Sequence, residues 1–155
     1  MQPPSSAAVR VRVRRTGKDS DLPLPGYATS GSSGMDLRAC ISQSVTIPPG
    51  GRALIGTGLS LALPPGTEAQ IRPRSGLAAE HGVTLLNAPG TIDSDYRGEI
   101  RLVLINHGLS SYTVHRGDRI GQMVVGQVLR VVLEEVEQLP ESARSAGGFG
   151  HTGKS

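Results

Sequence analysis

Tryptophan is absent from this 155-residue chain, tyrosine occurs three times and phenylalanine once. So few large rings leave a thin core of small apolar side chains, and a lone phenylalanine is expected inside it. Phe149 instead stands in Arg144-Ser-Ala-Gly-Gly-Phe-Gly-His-Thr-Gly153, behind Pro140 and near the C-terminus. A stretch so rich in glycine is too supple to order by itself. An aromatic face on a movable segment, beside an arginine, a histidine, a threonine and open backbone amides, reads as a lid for a nucleotide.

Other absences narrow the function classes. The single cysteine, Cys40, excludes an internal disulfide and points to a reducing compartment. It lies in Leu37-Arg-Ala-Cys-Ile41, an apolar strand pattern in which cysteine packs as a small hydrophobe. No apolar run approaches the length of a membrane span, and Met-Gln-Pro-Pro-Ser-Ser has no signal-peptide core. These features predict a cytoplasmic protein without a membrane partner. The net charge of +3 suits an anionic small ligand. No dense Lys/Arg run with interleaved aromatics occurs, so stable nucleic-acid binding is not expected. A Walker-type phosphate loop, a His/Cys metal cluster, a Gly-x-Ser-x-Gly elbow and a solenoid-length repeat are also missing.

What is present favours turns and short strands: 21 glycines and 11 prolines. Strand-like runs are expected at Val9–Arg14, Met35–Ile41, Val45–Ile47, Arg52–Leu63, Thr67–Arg72, Val83–Leu85, Gly98–Asn106, Tyr112–Val114, Arg119–Val125 and Val128–Glu135. Pro48-Pro-Gly-Gly51 and Pro64-Pro-Gly66 read as turns, and Asn106–Gly108 and His115–Asp118 as hairpin tips. One helix is expected, Ser75–His81, capped by Ser75 and stopped by Gly82. Alternating arginine and valine over Val9–Arg15 predicts a half-buried strand at a sheet edge. The pattern is all-β, a sandwich, jelly roll or barrel, and the thin core favours oligomerisation.

Four constellations carry chemistry. In Gly90-Thr-Ile-Asp-Ser-Asp-Tyr-Arg-Gly-Glu-Ile100, Asp93 and Asp95 share a face if the segment is a strand, and lose that parity in a bend. The segment reads as an acidic turn, or as the seat of a carboxylate that activates water, for which Asp93 behind Ile92 is the better placed. Arg72-Pro-Arg-Ser-Gly reads as an ordinary helix start, or as a phosphate site built from Ser75 and free amides. Asp36 follows a Ser/Gly loop, and Gln122 follows the tight turn at Gly117-Asp118. Any metal is expected to be a hard ion carried by a polyphosphate, with carboxylates on its waters.

The ordered set resembles the five motifs of the trimeric dUTP pyrophosphatases (dUTPases). It comprises Pro23–Thr29 with Gly34-Met-Asp-Leu-Arg-Ala39, Pro73–Ala78, Asn87 with Gly90–Gly98, Gly117–Gln122, and Gly147-Gly-Phe-Gly150. The resemblance implies a jelly-roll or distorted β-barrel homotrimer, with a disordered arm over 1–8, a catalytic domain over 9–139 and a mobile tail over 140–155. It implies hydrolysis of dUTP to dUMP and pyrophosphate with Mg²⁺, which limits uracil incorporation into DNA and supplies dUMP. Each site would draw on all three chains.

Residue by residue, the resemblance implies that Asp93 activates the water. Arg74, Ser75 and Gly76 hold the phosphates near the scissile bridge. Asn87 and the backbone of Thr91, Ile92 and Asp93 read the uracil, with Arg101 opposite. Tyr96 underlies the deoxyribose, Gln122 touches the phosphates, and Asp36 holds waters of the metal. Arg144 and the tail backbone, Gly150 included, grip the γ-phosphate, and Phe149 covers the base. Backbone groups in a hairpin discriminate uracil from cytosine because an unpaired buried polar group is costly.

Ser33 and Gly121 stand where the family usually has alanine, Ser145 where the last motif has glycine, and His151 where serine is commoner. Two alternatives compete. A dCTP deaminase on the same fold needs a catalytic glutamate where Val103 stands. A non-catalytic nucleotide sensor would not need an intact Asp93, Ser75 and tail.

Overall fold

The computed structural model describes residues 8–16, 21–142, 145 and 146. Residues 1–7 of the expected arm over 1–8 lie outside them. The described strands are β1 (Arg12–Arg15), β2 (Met35–Arg38), β3 (Val45–Ile47), β4 (Arg52–Ala62), β5 (Thr67–Arg72), β6 (Val83–Leu85), β7 (Gly90–Ile92), β8 (Glu99–Asn106), β9 (Tyr112–Val114) and β10 (Arg119–Gln127). One short helix, α1 (Ser75–His81), joins β5 to β6. The protein is therefore mostly β.

Two four-stranded antiparallel sheets, ordered β1-β4-β8-β6 and β2-β10-β5-β7, and a two-stranded sheet of β3 and β9 make up the body. The arginine-valine strand is an edge as expected, but it spans Arg12–Arg15 and is not half-buried: Val13 is exposed, and Val11, just before it, packs on the core. Leu37, Ile47, Ile55, Ile71, Leu102, Leu104 and Ile120 fill the interior, and no aromatic ring is buried among the described residues.

Local chemistry fixes the turns. Gly51 donates to the Pro48 carbonyl (2.8 Å) and Thr67 to the Pro64 carbonyl (3.2 Å), closing both Pro-Gly turns. Gly82 ends α1 at φ 67°, a left-handed conformation that glycine adopts without a Cβ penalty. The start of α1 differs from expectation. The N-cap is Arg74, with extended backbone and no side-chain capping bond, and Ser75 is the first helical residue. That leaves the Ser75 hydroxyl without a hydrogen bond among the described residues.

Long-range pairing overrides other local readings. Asn106–Gly108 and His115–Asp118 turn the chain, but the strands they join do not pair, since β9 pairs with β3 and β10 with β2 and β5. Gly90–Ile92, read as part of a bend, is a strand paired with β5. The Met35–Ile41 run stops at Arg38, so Cys40 lies beyond β2, half-buried, with Sγ accepting a bond from Arg116 at 3.5 Å. Val128–Glu135 joins no sheet. Gln127 is opposite Thr67, the first residue of β5, so beyond that point β10 has run out of partner strand.

Candidate active site

Strand β5 organises two groups of the expected residues, one on each side. Gln122 of β10 is paired with Arg72 of β5 on one side and Asp36 of β2 on the other, so the three form a row on one face. Asp36 gathers the polar groups around it. Its Oδ1 lies 3.2 Å from Arg74 Nε and accepts from Gln122 Nε2 at 3.3 Å, while its Oδ2 lies 3.2 Å from an Arg119 guanidinium nitrogen. Ser75 and Gly76 follow Arg74 and are exposed. At seven residues α1 contributes little dipole, so guanidinium and hydroxyl groups are the main donors an anion would meet here. A recess of about 320 Å³ beside them is lined by Gly34, Asp36, Arg72 and Gln122.

The second group surrounds a cavity of about 190 Å³ between β7 and β8. Ile71, Leu85 and Leu102 give it an apolar floor, and Asn87, Thr91, Ile92, Asp93, Tyr96, Glu99 and Arg101 a mostly polar rim. Asp93 follows β7 and opens the turn, its carbonyl accepting from the Tyr96 amide at 3.1 Å. Arg97 fastens the turn through the carbonyls of Ser94 (2.7 Å) and Tyr96 (2.9 Å). The Tyr96 hydroxyl donates to the Glu99 carbonyl (3.1 Å), which lays the ring across Gly98. A Cβ on Gly98 would stand 2.2 Å from that hydroxyl oxygen, so the ring position requires glycine. Asp93 is exposed in the single chain, not shielded as expected of a carboxylate that activates water.

These two groups do not converge within one chain. Ile92 is opposite Ala69, which puts Asp93 level with Glu68. Arg74 lies six residues further along extended backbone, about 20 Å away at roughly 3.3 Å per residue. One scissile phosphate cannot touch both. Arg144, Phe149 and Gly150 lie outside the described residues.

Sequence reasoning missed Glu99, Arg72 and Arg119. Glu99 accepts from the Gly58 amide at 2.8 Å through Oε1 and pairs with Arg101 Nε at 3.0 Å through Oε2. Its cue is the spacing of two from Arg101, which places both on one face of β8. Arg72 and Arg119 sit inside recognised motifs, but only the sheet register brings them to Asp36 and Gln122. Val103, where a deaminase would need glutamate, lies in β8 opposite Leu54.

The chain is 55% identical over 146 residues to a deoxyuridine 5'-triphosphate nucleotidohydrolase of Caldanaerobacter subterraneus, covering 94% of this chain and 99% of the relative. It is 56% identical over 147 residues to the protein of the same name from an Anaeromyxobacter species, with the same two coverages. The fold matches the dUTPase of Staphylococcus bacteriophage 80alpha, solved with dUpNHpp, at a TM-score of 0.83 and 21% identity, over 94% of this chain and 99% of that one. It also matches a phage phi11 dUTPase, solved to describe its structural Mg(II) ion, at a TM-score of 0.75 and 18% identity, over 85% and 99% of the two chains. A family profile of dUTPases matches residues 20–153, and with these relatives it establishes that the chain belongs to the dUTPase family.

Proposed function

We propose that this chain hydrolyses dUTP to dUMP and pyrophosphate at a site shared between copies of itself. The observation that carries the reading is the β7–β8 cavity, where an apolar floor meets the Asn87, Thr91, Asp93, Tyr96 and Arg101 rim. A flat base fits against Ile71, Leu85 and Leu102, with its polar edge toward Asn87 and the β7 backbone. Tyr96 lies beneath the sugar and leaves no space for a 2′-hydroxyl. Asp93 accepts a proton from water as the oxygen attacks phosphorus, and the α–β phosphoanhydride breaks with pyrophosphate leaving. Arg74, Ser75, Gly76 and Gln122 of a second copy hold the phosphates and offset their charge, the main requirement of phosphoryl transfer.

Two observations support a homotrimeric jelly roll with composite sites. One is the separation of about 20 Å between Asp93 and Arg74 along β5. The other is apolar surface that a lone chain leaves open. Leu129 (88% exposed), Val132 (96%) and Leu133 (92%) face solvent. A groove of about 520 Å³ is lined by Val9, Val11, Val13, Leu24, Tyr27, Met35, Met123 and Val125. Patches of this kind mark interfaces. Covering Asp93 with Arg74, Ser75 and Gln122 of another copy also supplies the shielding that it lacks alone.

No group of three or more His, Cys, Asp or Glu able to hold a metal occurs among the described residues. The donor set fits Mg²⁺ that arrives on the triphosphate. Asp36 has about four acceptor directions; Arg74, Gln122 and Arg119 use three of them, which leaves one on Oδ2 for a metal-bound water. When bound, the ion neutralises charge on the phosphates. The division into a body over 9–139 and a tail over 140–155, with Arg144 and Gly150 on the γ-phosphate and Phe149 over the base, belongs to the same proposal. So does a cytoplasmic location; among the described residues no helix is long and apolar enough to cross a membrane.

Pyrophosphate release from dUTP, dCTP, dTTP and UTP, with and without Mg²⁺, tests the assignment. Turnover of dUTP alone, strengthened by Mg²⁺, is expected. Equal turnover of dCTP or UTP would overturn it. Light scattering at three times the mass of one chain is expected for the shared site, and an active monomer would refute it.

A further inference from the structure

We infer that Gly121 sets the depth of the base pocket by making room for Leu102, and is a positioning residue for substrate it does not touch. The inference rests on the proposed nucleotide site. Gly121 is buried in β10, beside the Gln122 of the phosphate row. Its backbone is not among the left-handed glycines, so conformation does not require glycine there. Space does. A Cβ on Gly121 would lie 2.4 Å from Leu102 Cδ2, 3.3 Å from the Arg72 carbonyl oxygen and 3.7 Å from Ile71 Cγ2.

Carbon atoms pack at about 3.5–4.0 Å, so a methyl group at 121 displaces Leu102 by about 1 Å or more. Leu102 is 1% exposed and sealed in the interior. The open volume it borders is the base cavity, whose floor it shares with Ile71 and Leu85. Interiors are packed too tightly for the shift to dissipate elsewhere. A methyl on β10 therefore emerges as a raised floor under the base, with the polar rim left in place.

The test uses the full-length protein and two readouts. The first is KM and kcat for dUTP; the second is equilibrium binding of dUMP, which has the base and sugar but no β- or γ-phosphate. Gly121→Ala is expected to raise KM and weaken dUMP binding on the order of tenfold, the scale of a one-carbon misfit in an apolar pocket. The kcat value should stay within about twofold of wild type on the same argument. Adding Leu102→Val to Gly121→Ala should restore both constants, because valine withdraws the displaced carbon. Unchanged KM and dUMP affinity in Gly121→Ala, or losses that simply add in the double variant, would overturn the inference. Should Gly121→Ala fail to fold, the Gly121→Ala/Leu102→Val double variant decides: it must fold and bind dUMP within about twofold of wild type, and a double variant that misfolds or binds dUMP about tenfold more weakly would refute the inference. Wild-type protein inactive on dUTP would instead refute the proposed function, so the two failures are separable.

Discussion

Asp36 Oδ1 lies 3.2 Å from Arg74 Nε, joining β2 to the residue that caps α1. The pair is part-buried, with each side chain 23% exposed, and Asp36 also meets Arg119 and Gln122. Its worth lies in aiming guanidinium groups more than in stability, because partly exposed ion pairs contribute little. Asp36→Asn is expected to lower kcat/KM for dUTP by about 10- to 100-fold, the scale of a misplaced positioning group. The loss should deepen at low Mg²⁺, with the thermal midpoint nearly unchanged. Steady-state kinetics across a Mg²⁺ series, with a melt, check both.

Asp93→Asn removes the proposed proton acceptor and keeps the shape of the turn. Turnover should fall by about 10²- to 10⁴-fold while dUTP binding survives. Single-turnover kinetics beside calorimetric binding measures the split. Near-normal turnover would remove Asp93 from its proposed role.

Gly98→Ala drives a methyl into the Tyr96 hydroxyl, 2.2 Å from the new Cβ. The ring must leave the Glu99 carbonyl, at a cost of about 1 kcal/mol for the lost bond. The proposed sugar floor then opens, and the kcat/KM ratio of UTP to dUTP should rise roughly tenfold. An unchanged ratio would mean that Tyr96 does not exclude the 2′-hydroxyl.

Phe149→Ala, or truncation after Pro140, should leave the oligomer intact and depress turnover, since closing a lid completes a site without building the fold. Light scattering and dUTP kinetics on the same preparations separate the two effects. An oligomer that falls apart on truncation would make the tail structural.

The Arg116 guanidinium, hydrogen-bonded to Asp21 at 2.6 Å, holds that carboxyl below its ordinary value of 3.8 against a small opposing effect of burial. A depressed folded-state value contributes stability above 3.8 that is lost as pH falls through the lower value. Solvent screens this exposed pair, so the effect is small. NMR titration should give a midpoint below 3.8 for Asp21. Arg116→Gln should raise it toward the ordinary value, since the Arg116 hydrogen bond is the largest cause of the shift.

The sequence by itself determined the features that short-range chemistry controls. Prolines and glycines set the turns after Ile47 and Leu63, and α1 runs from Ser75 to a stop at Gly82. Asp93, Arg74 and Gln122 stand out in the sequence because their proposed chemistry lies in the side chain. Only the tertiary structure decided how they are divided. The register of β5 places Arg74, Gln122 and Asp36 on one side and the Asp93 turn on the other, about 20 Å apart along the strand. Register depends on partners distant in the chain, which no local pattern encodes. The same reason explains Val128–Glu135, a sound strand pattern that has no strand left to pair with. It also explains Gly121, which reads as a harmless small residue until β8 brings Leu102 against it.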